Sequence, residues 1–244
     1  MKRLLFIFLM LLVGAAGCAK QPAAQSSSEA ETVVRSFLQA LSQGDDSTCL
    51  SLLADDVVFQ QEPAGLKIEG KAQLEAAIHQ LQGWHHQYGI ASPVKTDGDR
   101  VSFTIKESGE DYRIMGLESV TGELDIRVVD GRIRSWKTTV SREDWQKITD
   151  LTAGRVGIKF ELAQQGMKVK EVAGNSPAYQ AGIRPGDVVI AVDGISYSQM
   201  REGEMQLRIQ GPVGSHVRLT VTHEGAPSPR EVEVTRVSSD GLRY

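Results

Sequence analysis

This sequence lacks most of the signals by which enzymatic chemistry announces itself. It has only two cysteines, Cys18 and Cys49, in 244 residues, too few for the disulfide framework of a small secreted scaffold. It contains no GxSxG elbow, no HExxH helix and no CxxC pair. That removes the sequence grounds for an α/β-hydrolase, a zinc metalloprotease or a thiol redox enzyme. Positive charge is also scarce: 27 Lys and Arg stand against 31 Asp and Glu. The acidic excess lies before residue 154 and the remainder is nearly balanced, so there is no basic footprint for nucleic acid. No catalytic residue, metal or cofactor is expected. The apolar run Leu4 to Val13 is too short to span a bilayer comfortably.

What is present begins with that run. Lys2 and Arg3 precede it and small residues follow, the pattern of a secretory signal peptide over residues 1–17, which is excluded from the fold. Its end, Ala15-Ala16-Gly17-Cys18, resembles the lipobox of bacterial lipoproteins, with Ala15 where that family usually has Leu. The resemblance implies that Cys18 becomes a diacylated N-terminus. At about 0.8 kcal/mol per buried methylene, its acyl chains would hold the protein on a membrane. Ordinary cleavage near Ala16 would instead leave Cys18 a bystander. Residues 18–28, with AKQPAAQSSS, read as a flexible tether reaching at most about 35 Å. Ala19, rather than Asp, resembles the outer-membrane sorting signal. The expected location is therefore the bacterial cell envelope, lipid-anchored and facing the periplasm. With Cys18 acylated, Cys49 has no disulfide partner, and its setting CLSLLA marks it as a small buried residue.

The most sharply punctuated stretch is NSPAYQAGIRPGDVVIAVDG, Asn175 to Gly194. Ser176 can cap a helix whose first position is Pro177, and Gly182 ends it one or two turns later. Arg184-Pro185-Gly186-Asp187 forms a tight turn. Val188 to Val192 follow as a buried strand, and Asp193-Gly194 is a hairpin turn. The strict alternation of Val217 to Val221 and of Val232 to Thr235 predicts half-buried antiparallel strands. Together these segments make a small barrel-like β-domain with short helices.

Ser176-Pro177-Ala178, Ala181-Gly182-Ile183, Pro185-Gly186-Asp187 and Asp193-Gly194 resemble a bacterial PDZ domain. Gly157-Ile158-Lys159-Phe160 and Gly211 to Val221 make it similar to the PDZ domain of carboxy-terminal processing proteases, over residues 151–238. The resemblance implies that an extended peptide adds to an open sheet edge while its terminal carboxylate enters a nest of backbone N–H groups. Gly157 opens that loop, and Ile158, Lys159 and Phe160 would donate. Ile158 and Phe160 would line the pocket for the last side chain, worth about 1.5 to 3 kcal/mol for a Val or Leu. Arg155 would help hold the carboxylate. The segment 198–209 would form the opposite wall, with Met200, Met205 and Ile209 as contacts. Lys159 stands where the motif often has Gly, a distortion if that position needs positive φ. Gly203 is placed inside the groove helix, at a cost of roughly 1 kcal/mol. Proteases with such a PDZ continue into a Ser/Lys catalytic domain, whereas this chain stops at Tyr244, so it is not expected to be a protease by itself.

Residues 29–150 read differently. Val33, Val34, Phe37, Leu38 and Leu41 share one helical face that Gly44 ends. A short helix near Thr48 to Leu53 leads to the strand Val57–Phe59, and a helix over Gly70 to His79 follows. From Tyr88 to Val140 the pattern is all strand, with hairpin turns at Asp97-Gly98 and Asp130-Gly131. This α+β order resembles the nuclear-transport-factor-2-like fold in its SnoaL-like branch, a curved sheet wrapped with helices, a cystatin-like sheet being the nearest rival. The whole chain is thus expected to be that domain followed by a PDZ domain.

The resemblance implies a cone used as an active site, a ligand pocket or a homodimer surface. Acid–base chemistry there needs an ionisable group on the inner face. Asp125 alternates with the apolar Leu124, Ile126 and Val128 and so points to solvent. Trp84-His85-His86-Gln87-Tyr88 offers imidazoles and a phenol, but adjacent histidines face opposite ways and do not make a metal site. Tyr112, Trp136 and Trp145 read as core or lid aromatics. The leading expectation is a membrane-anchored binding module whose PDZ domain captures protein or peptide C-termini. The rivals are an enzyme or ligand binder acting through the cone, and an adaptor for a separate protease.

Overall fold

The computed structural model describes residues 28–223, 225–226 and 228–244. The expected signal peptide, Cys18 and the expected tether up to residue 27 lie outside the described residues.

Ser28 caps the first helix, α1 (Glu29–Gln43), its side chain accepting from the Glu31 N–H, and Gly44 closes it at φ 71°. The buried face is Ala30, Val34, Phe37, Leu38, Ala40 and Leu41, the i, i+3, i+4 stripe expected of a helix lying on a sheet. Next come α2 (Asp46–Ser51), β1 (Leu53–Glu62), β2 (Leu66–Glu69), α3 (Lys71–Gln82), β3 (Gln87–Ile90), β4 (Lys95–Asp97), β5 (Arg100–Ser108), α4 (Glu110–Met115), β6 (Val120–Val129), β7 (Arg132–Val140) and α5 (Arg142–Thr152). The sheet order is β2-β1-β7-β6-β5-β3, with β4 also on β5. Only β1 against β7 is parallel among these pairs.

The sheet's covered face is the alternating apolar set. Val101, Phe103 and Ile105 on β5 and Leu124, Ile126 and Val128 on β6 join Phe37, Leu53, Phe59 and Trp136 in one core. Trp136 is its pivot, 5.1 Å from the Phe37 ring in an edge-on contact and 4.6 Å from Phe59. Cys49 is fully buried and its thiol is pushed up to about 12 by that burial.

The second unit contains β8 (Ile158–Ala163), β9 (Gly166–Val172), α6 (Pro177–Gln180), β10 (Val188–Val192), β11 (Ile195–Ser196), α7 (Glu204–Ile209), β12 (His216–Thr222) and β13 (Arg230–Thr235). Its sheet runs β13-β12-β10-β9-β8, with β11 on β10. The punctuated stretch folds as its residues demand. Ser176 Oγ accepts from the Tyr179 N–H at the start of α6, and Gly182 sits at φ 79°. Asp187, almost fully buried, accepts from the Arg184 N–H at 3.0 Å and lies 2.7 Å from His223. The turn Arg-Pro-Gly-Asp is therefore closed by its own carboxylate.

Three expectations need correction, and one helix was not foreseen. The span from Tyr88 to Val140 is not all strand: Gly109 starts α4, whose first turn carries Glu110 and Asp111. A long β1 replaces the three-residue strand. The helix α5 closes the first unit, capped by Ser141. Gly203 is not inside the groove helix but is the residue before it, at φ 80°. There a left-handed glycine serves as a helix start and removes the expected penalty.

Candidate functional site

The groove expected of the second unit would run along β8. That strand ends its sheet: β9 pairs on one side and, among the described residues, no strand pairs on the other. Its entry is fixed by backbone bridges from Gly154 to Gly211 and from Arg155 to Val237. Gly157 then turns the chain at φ 86°, where a side chain would be strained, and a Cβ there would come within 2.1 Å of Ser176 Cβ. The Ser-Pro-Ala cap and the loop glycine are thus one packed unit, since the Gly157 carbonyl also accepts from the Ala173 N–H. The left-handed residue is Gly157 and Lys159 is not among the positive-φ residues, so the distortion expected at Lys159 does not arise.

Side chains on β8 alternate. Ile158 and Phe160 are half-buried against the cluster that holds Met205 and Ile209, and Met200 packs on the same cluster. The structure brings all five together, with a difference of role. Met205 and Ile209 are 1% and 4% exposed, so they are core residues forming the floor, while Ile158, Phe160 and Met200 are the apolar groups left at the surface. Lys159 faces outward, 2.9 Å from Glu171. Arg155 does not reach the loop as expected: its guanidinium donates to the Thr152 and Gly154 carbonyls at the end of α5.

The short α7 is held at both ends by buried ions. Glu204 accepts from the Arg201 N–H at 3.2 Å and from Arg208 Nε at 2.8 Å. Burial opposes its ionisation, yet these hydrogen bonds hold its carboxyl below the ordinary value. At the other end Arg236 donates to the Arg208 and Ile209 carbonyls at 2.8 and 2.9 Å, satisfying groups that a helix end leaves unpaired.

Sequence reasoning missed the chain segment, residues 241–244, that contacts Gly174, Asn175 and the Lys159 side chain. Asn175 Nδ2 donates to the Gly241 carbonyl at 2.6 Å, the Arg243 N–H donates to Asn175 Oδ1, and the Gly174 N–H donates to the Arg243 carbonyl. The segment is thereby laid so that Lys159 Nζ sits 4.4 Å from the centre of the Tyr244 ring.

The first unit holds a cavity of about 360 Å³ between its sheet, α1, α3 and α4, walled by residues that include Phe59, Trp84, Tyr88, Tyr112 and Trp136. His86, Glu107 and Asp111 converge on it. His86 Nδ1 is 2.5 Å from Glu107 Oε1. Its Nε2 is 2.9 Å from Asp111 Oδ1, so the ring is held between two carboxylates. Burial alone would lower the His86 pKa. The contacts with Asp111 and Glu107 outweigh it and raise the value to about 9, so the imidazole is charged at neutral pH. Burial, reinforced by the Glu107 charge, pushes the phenols of Tyr88 and Tyr112 well above their ordinary value.

Glu107 was legible in principle. It continues the inward alternation of Val101, Phe103 and Ile105, and it pairs in register with Tyr88. Asp111 was not, because α4 was read as strand. His85 and His86 do face opposite ways, at φ 51° for the exposed His85. Asp125 faces outward to Arg100 at 2.8 Å. Tyr112 and Trp136 line the cavity, whereas Trp145 packs beside Tyr112 with Val120 and Val140.

Residues 154–234 match the PDZ domain family. Curated relatives include the carboxy-terminal-processing protease of Bartonella bacilliformis, 26% identical over 102 residues, covering 42% of this chain and 24% of that protein. The chloroplastic C-terminal processing peptidase of Tetradesmus obliquus is 35% identical over 92 residues, covering 35% of this chain and 20% of that one. The chain therefore spans about a quarter or less of the length of these two relatives. Similar solved structures include a SnoaL-like polyketide cyclase from Shewanella putrefaciens, at 14% identity and TM-score 0.45, covering 51% of this chain and 96% of that one. A ketosteroid isomerase from Kribbella flavida is at 18% and 0.41, covering 47% and 78%. The chain is α+β with nuclear-transport-factor-2-like structural neighbours, and its residues 154–234 are a PDZ domain homologous, over that segment, to carboxy-terminal-processing proteases.

Proposed function

We propose that this protein is an envelope binding module whose PDZ domain captures the C-terminus of a peptide or protein along β8. The single observation that carries this reading is the outer edge of β8, unpaired among the described residues, headed by a left-handed Gly157 and carrying the apolar Ile158 and Phe160. An added strand would complete the sheet's hydrogen bonds, and the loop amides of Ile158, Lys159 and Phe160 would meet the carboxylate. A PDZ domain with homology to processing proteases supports a protein-interaction or adaptor role. Anchoring through Cys18 would hold that role at a membrane, with adaptor service to a separate envelope protease as its use.

The test is a fluorescence titration of the whole chain against labelled peptides ending in Val or Leu, with free and amidated C-termini. Binding of the free acid, lost on amidation and lost again in Ile158→Asp, supports the reading. Equal binding of both forms contradicts capture of the terminus. Anchoring is tested separately: Cys18→Ala should move the protein from the membrane to the soluble fraction, and an unchanged distribution would contradict it.

A further inference from the structure

The peptide groove leaves the cavity of the first unit unexplained, and that cavity has a definite charge. The charged groups that face it come from three places: Glu107 at the end of β5, Asp111 on α4, and His86 just before β3. Among the described residues no Lys or Arg lines it. Glu110, next to Asp111, turns the other way, 3.1 Å from His85 and in an ion pair with Arg201. Thr138 is already taken by the Trp136 indole N–H at 3.0 Å. Two carboxylates therefore stand against one imidazolium, in a site only 4% open at His86.

An anion has no partner there. Both nitrogens of His86 are already against carboxylates, and turning the ring toward a ligand would strand a buried acid, which is costly. A wholly apolar ligand would fit the walls but leave the excess negative charge unanswered in a low-dielectric space. Trp84, Tyr88 and Trp136 line the cavity, and aromatic rings are favourable neighbours for a cation. Asp111 meets His86 through one oxygen only, Oδ1, so its carboxylate and that of Glu107 together exceed the single positive charge between them. The volume of about 360 Å³ is at the small end of ligand sites, about 300 to 1,000 Å³.

We propose that this cavity binds a small organic cation, an ammonium group carried on an apolar or aromatic body, with its charge toward Glu107 and Asp111 and its body against the indole and phenol rings. This inference is independent of the peptide-binding reading.

The experiment compares three probes of matched size on the whole chain at neutral pH: phenethylammonium, 2-phenylethanol and phenylacetate. Binding is read by calorimetry and by tryptophan fluorescence. The expected result is that the ammonium binds at least about tenfold tighter than the alcohol, with phenylacetate weakest. Glu107→Gln should narrow that ratio. Ala77→Phe, which fills the cavity from α3, should abolish binding while circular dichroism stays native. Ile158→Asp should leave ammonium binding unchanged, which separates this site from the groove. The proposal is overturned if the alcohol or phenylacetate binds as tightly as the ammonium, if none of the three binds, or if binding survives Ala77→Phe. Should Glu107→Gln fail to fold, the comparison of probes on the unaltered chain and the filled-cavity variant still decide.

Discussion

Glu110 of α4 is ion-paired with Arg201, the residue that also holds the buried Glu204 at the start of α7. The helix that supplies Asp111 to the cavity thus rests against α7, the helix proposed to wall the peptide site. Both partners are about a third exposed, so screening limits the pair to roughly 0.2 to 1 kcal/mol. A double-mutant cycle with Glu110→Ala and Arg201→Ala, followed by urea denaturation, should return a coupling in that range. Strict additivity would show that the two units do not communicate through this pair.

His86 sets a pH dependence whose direction is fixed. Its pKa rises from an ordinary 6.5 to about 9 on folding, so the folded state binds the proton more tightly. The stabilisation is complete below pH 6.5 and is lost as pH rises toward 9, in total about 3 kcal/mol. Urea unfolding at pH 6, 8 and 10 should show a decline across that window which His86→Gln flattens. A flat profile in the unaltered chain would contradict a charged His86 between two acids.

Gly157→Ala should destabilise the second unit by about 1 to 3 kcal/mol, because it combines an unfavourable φ of 86° with a Cβ placed 2.1 Å from Ser176. Thermal unfolding measures it. The double variant with Ser176→Gly should recover only the steric part, and full recovery would mean that the backbone conformation carries no strain.

Arg236→Met removes the donor to the last two carbonyls of α7. Leaving them unpaired in a buried setting should cost about 1 to 3 kcal/mol and weaken peptide capture with it, since α7 forms one wall of the groove. Urea denaturation measures it, and unchanged stability would show that α7 needs no such support.

The two halves of the chain were not equally legible. In the second unit, turn residues carry the fold: Ser176, Pro177, Gly182 and Asp187 each do locally what their chemistry requires, so a short window suffices. The groove floor was less clear, because burial of Met205 and Ile209 depends on how α7 is docked by Glu204 and Arg236, contacts distant in sequence. In the first unit the apolar alternation revealed the sheet but hid the cavity cluster. Glu107 ends an inward-facing run, yet the strand pattern read over Tyr88 to Val140 hid the short helix α4 that follows it and carries Asp111. The close approach that brings Asp111 to His86 depends on Gly109, where a Cβ would meet both side chains within 2.6 Å. Nothing local in the sequence announces that contact. The segment over Lys159 was missed for the same reason, since Asn175 joins residues more than sixty positions away.

The most direct test of peptide capture is amide NMR of the chain with a C-terminal peptide added in its free-acid and amidated forms. The account predicts that the amides of Ile158, Lys159 and Phe160 shift with the free acid, that outward-facing amides of β8 gain protection from exchange, and that the amidated peptide does neither. Shifts confined to other strands, or identical shifts with both peptides, would contradict it.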